Sequence, residues 1–202
     1  MALETPDSLL DFWIGPARDD AVQAKARSAL WFRKSFETDA LIADRFLDTL
    51  SALASGLAYD WAVTSPAGRL AAIIALDQFS RNMFRDTPAA FAHDAMALDL
   101  CSHGLMLGVD MGMKEVERQF FYMPLEHSER LSDQDLCVKA MGGALRSARP
   151  PFKPILEGAL DYAKQHQAII QRFARFPHRN PILGRTNTPE EAAYLAEPGS
   201  GF

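Results

Sequence analysis

Three short stretches carry the side chains most able to do chemistry. In the first, Asp77 and Arg81 stand four residues apart on a stripe otherwise made of Leu70, Ile73, Ile74 and Phe84. At helical spacing the carboxylate and the guanidinium reach one another, and either one alone in that apolar setting would be costly. The pair reads as a salt bridge fixing helix packing or as one side of a polar cleft. In the second stretch, Phe120-Phe121-Tyr122-Met123-Pro124 runs directly into Leu125-Glu126-His127-Ser128-Glu129. Histidine titrates near neutrality, so Glu126 and His127 could exchange protons with a substrate. The same side chains could instead satisfy backbone groups at a helix end. Pro124 disfavours helical geometry at Met123, which predicts a kink or turn presenting Glu126 and His127.

The third stretch begins with His166 on a stripe with Tyr162, Ile169, Phe173 and Phe176, then continues into Arg172, Arg175, His178, Arg179, Asn180 and Arg185. Guanidinium forks fit carboxylates and phosphates. Cations at a helix C-terminus are also stabilising for dipole reasons alone, and a histidine among apolar neighbours is more often a satisfied core residue than a ligand. Each stretch therefore has a structural reading. Their joint occurrence points to a site.

Other chemistries find little support. There is no H-E-x-x-H pair, G-x-G-x-x-G turn, phosphate-binding loop or G-x-S-x-G elbow, so neither a metal nor a cofactor is expected. Cys101 and Cys137 lie in apolar helical stretches and read as buried thiols in a reducing compartment. A net charge of -5 argues against a nucleic-acid partner. Residues 1–8 lack a basic signal-peptide start, and the apolar run 70–76 is far shorter than the about 20 residues a membrane span takes. The expectation is a cytoplasmic protein without a membrane partner.

The elements that must position these groups are helices. Alanine and leucine are abundant, and 3.6-residue periodicity dominates. Thr5-Pro6, Ser65-Pro66, Thr87-Pro88 and Thr188-Pro189 pair a capping hydroxyl with a proline suited to the first turn. Thr188 with Glu191 also forms a capping-box pattern, and Ser132 before Asp133 reads as a further helix start. Helices are expected at 6–14, 19–35, 38–54, 66–84, 88–106, 113–122, 133–148, 153–176 and 189–196. Residues 1–202 read as a single all-α domain, an antiparallel stack of about eight or nine helices. Within it, 177–202 forms a wrapped tail with a short helix, frayed over 197–201. Trp13, Trp31 and Trp61 read as core.

Three runs carry a resemblance: 76–85 (LDQFSRNMFR), 120–129 (FYMPLEHSE after Phe120) and 172–180 (RFARFPHRN). Together with Phe12-Trp13, Trp31-Phe32, Leu183-Gly184-Arg185 and Thr188-Pro189-Glu190-Glu191, they make the chain similar to the bacterial family called domain of unknown function 924. Ser80 stands where that pattern has proline. The resemblance implies a tetratricopeptide-like helical fold and no particular activity.

The leading expectation is a binding protein with a groove lined by Asp77, Gln78, Arg81, Arg85, Glu126, His127, His166, Arg175, His178 and Arg179, walled by Phe79, Phe121 and Tyr122. It would hold an anionic small molecule or a peptide carboxylate. The alternative is a hydrolase with Glu126 or His127 as base and His166 or His178 as acid, with a metal on Glu126, His127 and His166 as a less favoured variant. A third reading makes the same groups a buried network that fixes packing, with the outer surface meeting a protein partner.

Overall fold

The computed structural model describes residues 3–197; the frayed end expected beyond 197 lies outside the described residues. Among them there are helices and no strands. The α-helices are α1 Pro6–Trp13, α2 Ala21–Phe32, α3 Phe36–Ala52, α4 Ala58–Thr64, α5 Pro66–Ile74, α6 Ser80–Met83, α7 Asp94–Met106, α8 Glu115–Glu126, α9 Leu131–Ser147, α10 Lys153–Phe173 and α11 Pro189–Leu195. Four consecutive pairs pack side by side, α4 with α5, α7 with α8, α8 with α9 and α9 with α10, and α1, α7 and α8 also pack on α5.

Three of the marked hydroxyl caps form, while Thr87 turns its hydroxyl back to the Phe84 carbonyl. Thr5 accepts from Ser8 N, Ser65 from Gly68 N, and Thr188 with Glu191 closes a capping box. Gly68 is needed at the α4–α5 corner, because a Cβ there would stand 2.3 Å from the Trp61 carbonyl oxygen. One apolar cluster runs from Leu9 to Ala163, with Trp13, Phe46, Phe79, Phe120 and Phe121 at its centre. A smaller one, Ile169, Ile170 and Phe176, lies under the tail. Trp13 and Trp31 are core and Trp61 packs against it, as expected. Tyr162, placed on the buried stripe of α10 from spacing alone, is 56% exposed.

Several boundaries differ from expectation. Residues 53–57 form a π-turn in which Gly56 takes φ +127°, and the chain resumes as α4, an element the sequence reading lacked. The expected helix 88–106 is two pieces: a 3-10 turn Pro88–Phe91 and then α7. α9 starts at Leu131 with Arg130 as its cap residue, so Ser132 is not the cap. α10 ends at Phe173 because Ala174 turns left-handed, with φ +56°. The turn expected at Pro124 does not form; α8 runs through it to Glu126. A proline inside a helix costs about 3 kcal/mol. Phe120, Phe121 and Leu125 are fully buried on that helix, and each contributes about 1.5–3 kcal/mol by leaving water, so burial wins.

The segment 66–83 matters most for the site. It is continuous, but residues 75–79 make a π-turn. Such wide turns recur at functional sites. Here the turn holds Asp77 and Gln78, both buried, against the C-terminal end of α8.

Candidate functional site

Asp77 is the hub. It is 1% exposed and accepts from three side chains. Gln78 Nε2 donates to Oδ2 at 2.5 Å, and His127 Nδ1 lies 2.7 Å from Oδ1. Arg81 Nη1 lies 3.1 Å from Oδ1. Burial alone would raise the Asp77 pKa, but the Arg81 cation, with His127 and Gln78, holds it well below the usual carboxylate range. An ionised Asp77 fixes the tautomer of His127: Nδ1 carries the proton and Nε2 offers its lone pair. Burial and then the Arg81 charge push the His127 pKa below its ordinary value, against the pull of Asp77. The imidazole is therefore neutral at pH 7.

Arg81 is saturated. Its two Nη atoms fork onto Asp94 at 2.8 and 3.0 Å, and Nη1 also donates to the Asp77 carbonyl at 2.7 Å. Beyond Asp94 lies Arg179, whose Nη1 comes only within 3.8 Å of Asp94 Oδ2. The Arg179 guanidinium is stacked between two rings, 4.8 Å from the centroid of Phe91 and 4.5 Å from that of Phe176. Phe176 in turn meets His166 at 5.5 Å, and His166 meets His127 at 6.2 Å between ring centroids. The contacts close into a circuit: His127, Asp77, Arg81, Asp94, Arg179, Phe176, His166 and back to His127.

Two further groups, Glu126 and His178, face this circuit. Glu126, next to His127 at the end of α8, brings Oε1 within 3.5 Å of His166 Nδ1, which also bonds the Tyr162 carbonyl at 2.9 Å. Burial, with the Asp77 charge, raises the Glu126 pKa to about 8. Burial and His127 lower His166 to about 3. His178 packs 5.6 Å from Phe176 and is lowered to about 4 by burial and then by Arg179. At neutral pH the site thus contains a protonated carboxyl and three neutral imidazoles. Its charged members, Arg81 and Arg179 against Asp77 and Asp94, sum to zero.

Eight of the ten expected residues come together here: Asp77, Gln78, Arg81, Glu126, His127, His166, His178 and Arg179. Two do not. Arg85 forks onto Asp39 at 2.7 Å through both Nε and Nη2. Arg175 forks onto Glu191 at 2.6 and 2.7 Å and donates to the Thr186 carbonyl, pinning the tail. The expected aromatic walls are also corrected. Phe79 is fully buried against Trp13 and Phe46, Phe121 lies in the core, and Tyr122 spends its hydroxyl on Asp110. The aromatic walls are Phe91 and Phe176. The sequence reading missed Phe91 and Asp94 because it placed both inside one long helix; the break before Asp94 is what turns them inward.

Cys101 and Cys137 are buried, and burial pushes both thiols up, which leaves them poor nucleophiles. Two surface concavities, of about 590 and 300 Å³, lie elsewhere, one beside Arg33, Lys34 and Phe36 and one beside Lys114, Arg118 and Arg149. Neither is lined by the residues of the candidate site. That site reaches solvent through the part-exposed side chains of Arg81 (20%), Asp94 (23%) and His127 (15%).

No helix among the described residues is long and apolar enough to cross a membrane. No curated protein matches the chain. The solved structure of a protein of unknown function from Agrobacterium tumefaciens is similar, with 33% identity, a TM-score of 0.78, and coverage of 95% of this chain and 96% of that one. The family described as bacterial protein of unknown function (DUF924) matches residues 9–199, so the chain belongs to that family.

Proposed function

We propose that the circuit binds a small organic anion, a carboxylate or a phosphate ester, with Arg179 as its seat. One observation carries this reading. Arg179 is 6% exposed, yet its guanidinium makes no hydrogen bond to any described residue, and its Nε is buried without an acceptor. Burial and then the Arg81 charge lower its pKa to about 10, so it stays cationic at pH 7. A buried charge without hydrogen bonds costs several kcal/mol. Contact with the ring faces of Phe91 and Phe176 offsets part of that and uses none of the guanidinium N–H groups, the donors an oxyanion needs. Because the surrounding charges already cancel, a monoanion suits the site better than a dianion.

The test is calorimetric titration of acetate and of dimethyl phosphate into the protein at pH 7. The wild type binds one of them at one site. Arg179→Met loses at least about tenfold in affinity, the loss of one charge-assisted fork, and Arg175→Met keeps it. Equal affinity in wild type and Arg179→Met overturns the reading.

A further inference from the structure

The same circuit holds more than an anion seat requires. A seat needs a guanidinium. It does not need an imidazole aligned by a buried carboxylate, nor a second carboxyl beside it. We infer that the site hydrolyses phosphodiesters, with His127 as general base, Glu126 as general acid and Asp77 as the residue that positions His127; this rests on the anion seat of Arg179.

The geometry assigns the roles. Asp77 Oδ1 lies 2.7 Å from His127 Nδ1 and is itself locked by Gln78 and Arg81. The imidazole is therefore held in one tautomer with Nε2 free to accept a proton, the arrangement a histidine base needs. Glu126 sits one residue away on the same last turn of α8, its carboxyl 3.5 Å from His166 Nδ1. Both side chains thus converge on the His166 ring, which Phe176 links to Arg179. Burial keeps Glu126 protonated up to about pH 8. The pair has the division of labour that hydrolysis demands, a neutral base and a protonated acid at one pH.

The substrate class follows from charge. Charges within the circuit cancel, which fits the single charge of a phosphodiester, and Arg179 would hold its two non-bridging oxygens. In the reaction a water oxygen forms a bond to phosphorus while its proton passes to His127 Nε2. The bond from phosphorus to the leaving oxygen breaks, and that oxygen takes the Glu126 proton. The products are a phosphomonoester and an alcohol. His127 then releases its proton to solvent and Glu126 regains one, so nothing else is consumed.

The experiment compares bis(4-nitrophenyl) phosphate with diphenyl phosphate. The wild type hydrolyses both. His127→Gln lowers kcat/KM at least about 100-fold on each. Glu126→Gln costs about 100-fold on diphenyl phosphate, whose leaving group needs a proton, and less than about threefold on the nitrophenyl ester, whose leaving group does not. Asp77→Asn lowers kcat by about 100-fold or more with KM little changed. The wild-type pH profile needs no variant to fold. Asp77, Arg81, Asp94, His166, His178 and Arg179 face the pair, and its own two members set the limbs. kcat/KM falls on the acid side, below the ordinary histidine range, as His127 takes a proton, and falls near pH 8 as Glu126 loses one. Absence of turnover while dimethyl phosphate still binds through Arg179 overturns the hydrolase and leaves the binding site standing. Absence of binding overturns both. A rate indifferent to leaving group in Glu126→Gln overturns the role of Glu126.

Discussion

Arg175 and Arg179 are four residues apart and equally prominent in the sequence, yet the fold uses them in opposite ways. Arg175 gives its Nε and Nη2 to Glu191 and adds a bond to the Thr186 carbonyl. Its work is to fasten α11 and the tail. Arg179 is far more buried, yet finds one carboxylate oxygen at 3.8 Å and two aromatic faces. The chain between them leaves the helix, with Ala174 left-handed and Pro177–Arg179 a 3-10 turn, so the helical spacing of four no longer puts both on one face. The difference teaches that an arginine's presence near a cleft says little. What sets Arg179 apart is a buried guanidinium with unused donors.

The contrast can be broken most forcefully at Asp77. Asp77→Ala removes the shared partner of Arg81, His127 and Gln78 and leaves buried polar groups unpaired. Breaking a buried pair costs roughly 3–5 kcal/mol. Arg81 keeps Asp94, so the expected loss is about 3 kcal/mol in urea unfolding, or roughly 6–12 °C in Tm. A loss under about 1 kcal/mol would mean the hub is not structural.

A smaller effect separates the two arginines by stability. Arg175→Met lowers Tm because it frees the tail and takes the guanidinium from the buried Glu191 carboxylate, which keeps only Thr188 N and Asn180 Nδ2. Arg179→Met leaves Tm unchanged or raised, since replacing a buried charge that lacks hydrogen bonds with an apolar side chain is often neutral or stabilising. Scanning calorimetry of the two variants checks this. A large drop for Arg179→Met would place it with Arg175 as a structural residue.

The smallest effect is the pH dependence of stability. His166 and His178 have folded pKa values near 3 and 4, below the ordinary 6.5. The unfolded chain binds those protons first, so their contribution is full above pH 6.5 and is lost as pH falls toward 4. Glu126 runs the other way. Its folded value near 8 lies above the ordinary 4.5, so its contribution is full below pH 4.5 and is lost as pH rises through 8. Tm measured from pH 4 to 9 falls at both ends. His178→Gln flattens the acid limb and Glu126→Gln the alkaline one; parallel limbs in all three proteins would contradict these assignments.

Much of this was legible in the residues alone. The helices follow from periodicity and hydroxyl–proline starts, and the three polar stretches were visible because charge interrupts apolar stripes. What stayed hidden depended on tertiary context. Pro124 reads locally as a break, and only the burial of its neighbours lets the helix run on to Glu126 and His127. Asp94 drew no reading from the sequence, because only the break at residues 92–93 between the 3-10 turn and α7 brings it to Arg81. Arg85 and Arg175 looked like site residues because sequence shows a cation and not its partner, and Asp39 and Glu191 lie 46 and 16 positions away.

The most direct test of the central claim watches the guanidinium groups themselves. In side-chain Nε–H NMR spectra, dimethyl phosphate is titrated into the protein at pH 7. The Arg179 Nε–H resonance should move and saturate, while that of Arg175, already committed to Glu191, should stay in place. If Arg179 does not move while the anion binds, or if Arg175 moves instead, the anion seat is not where the buried, underused guanidinium puts it.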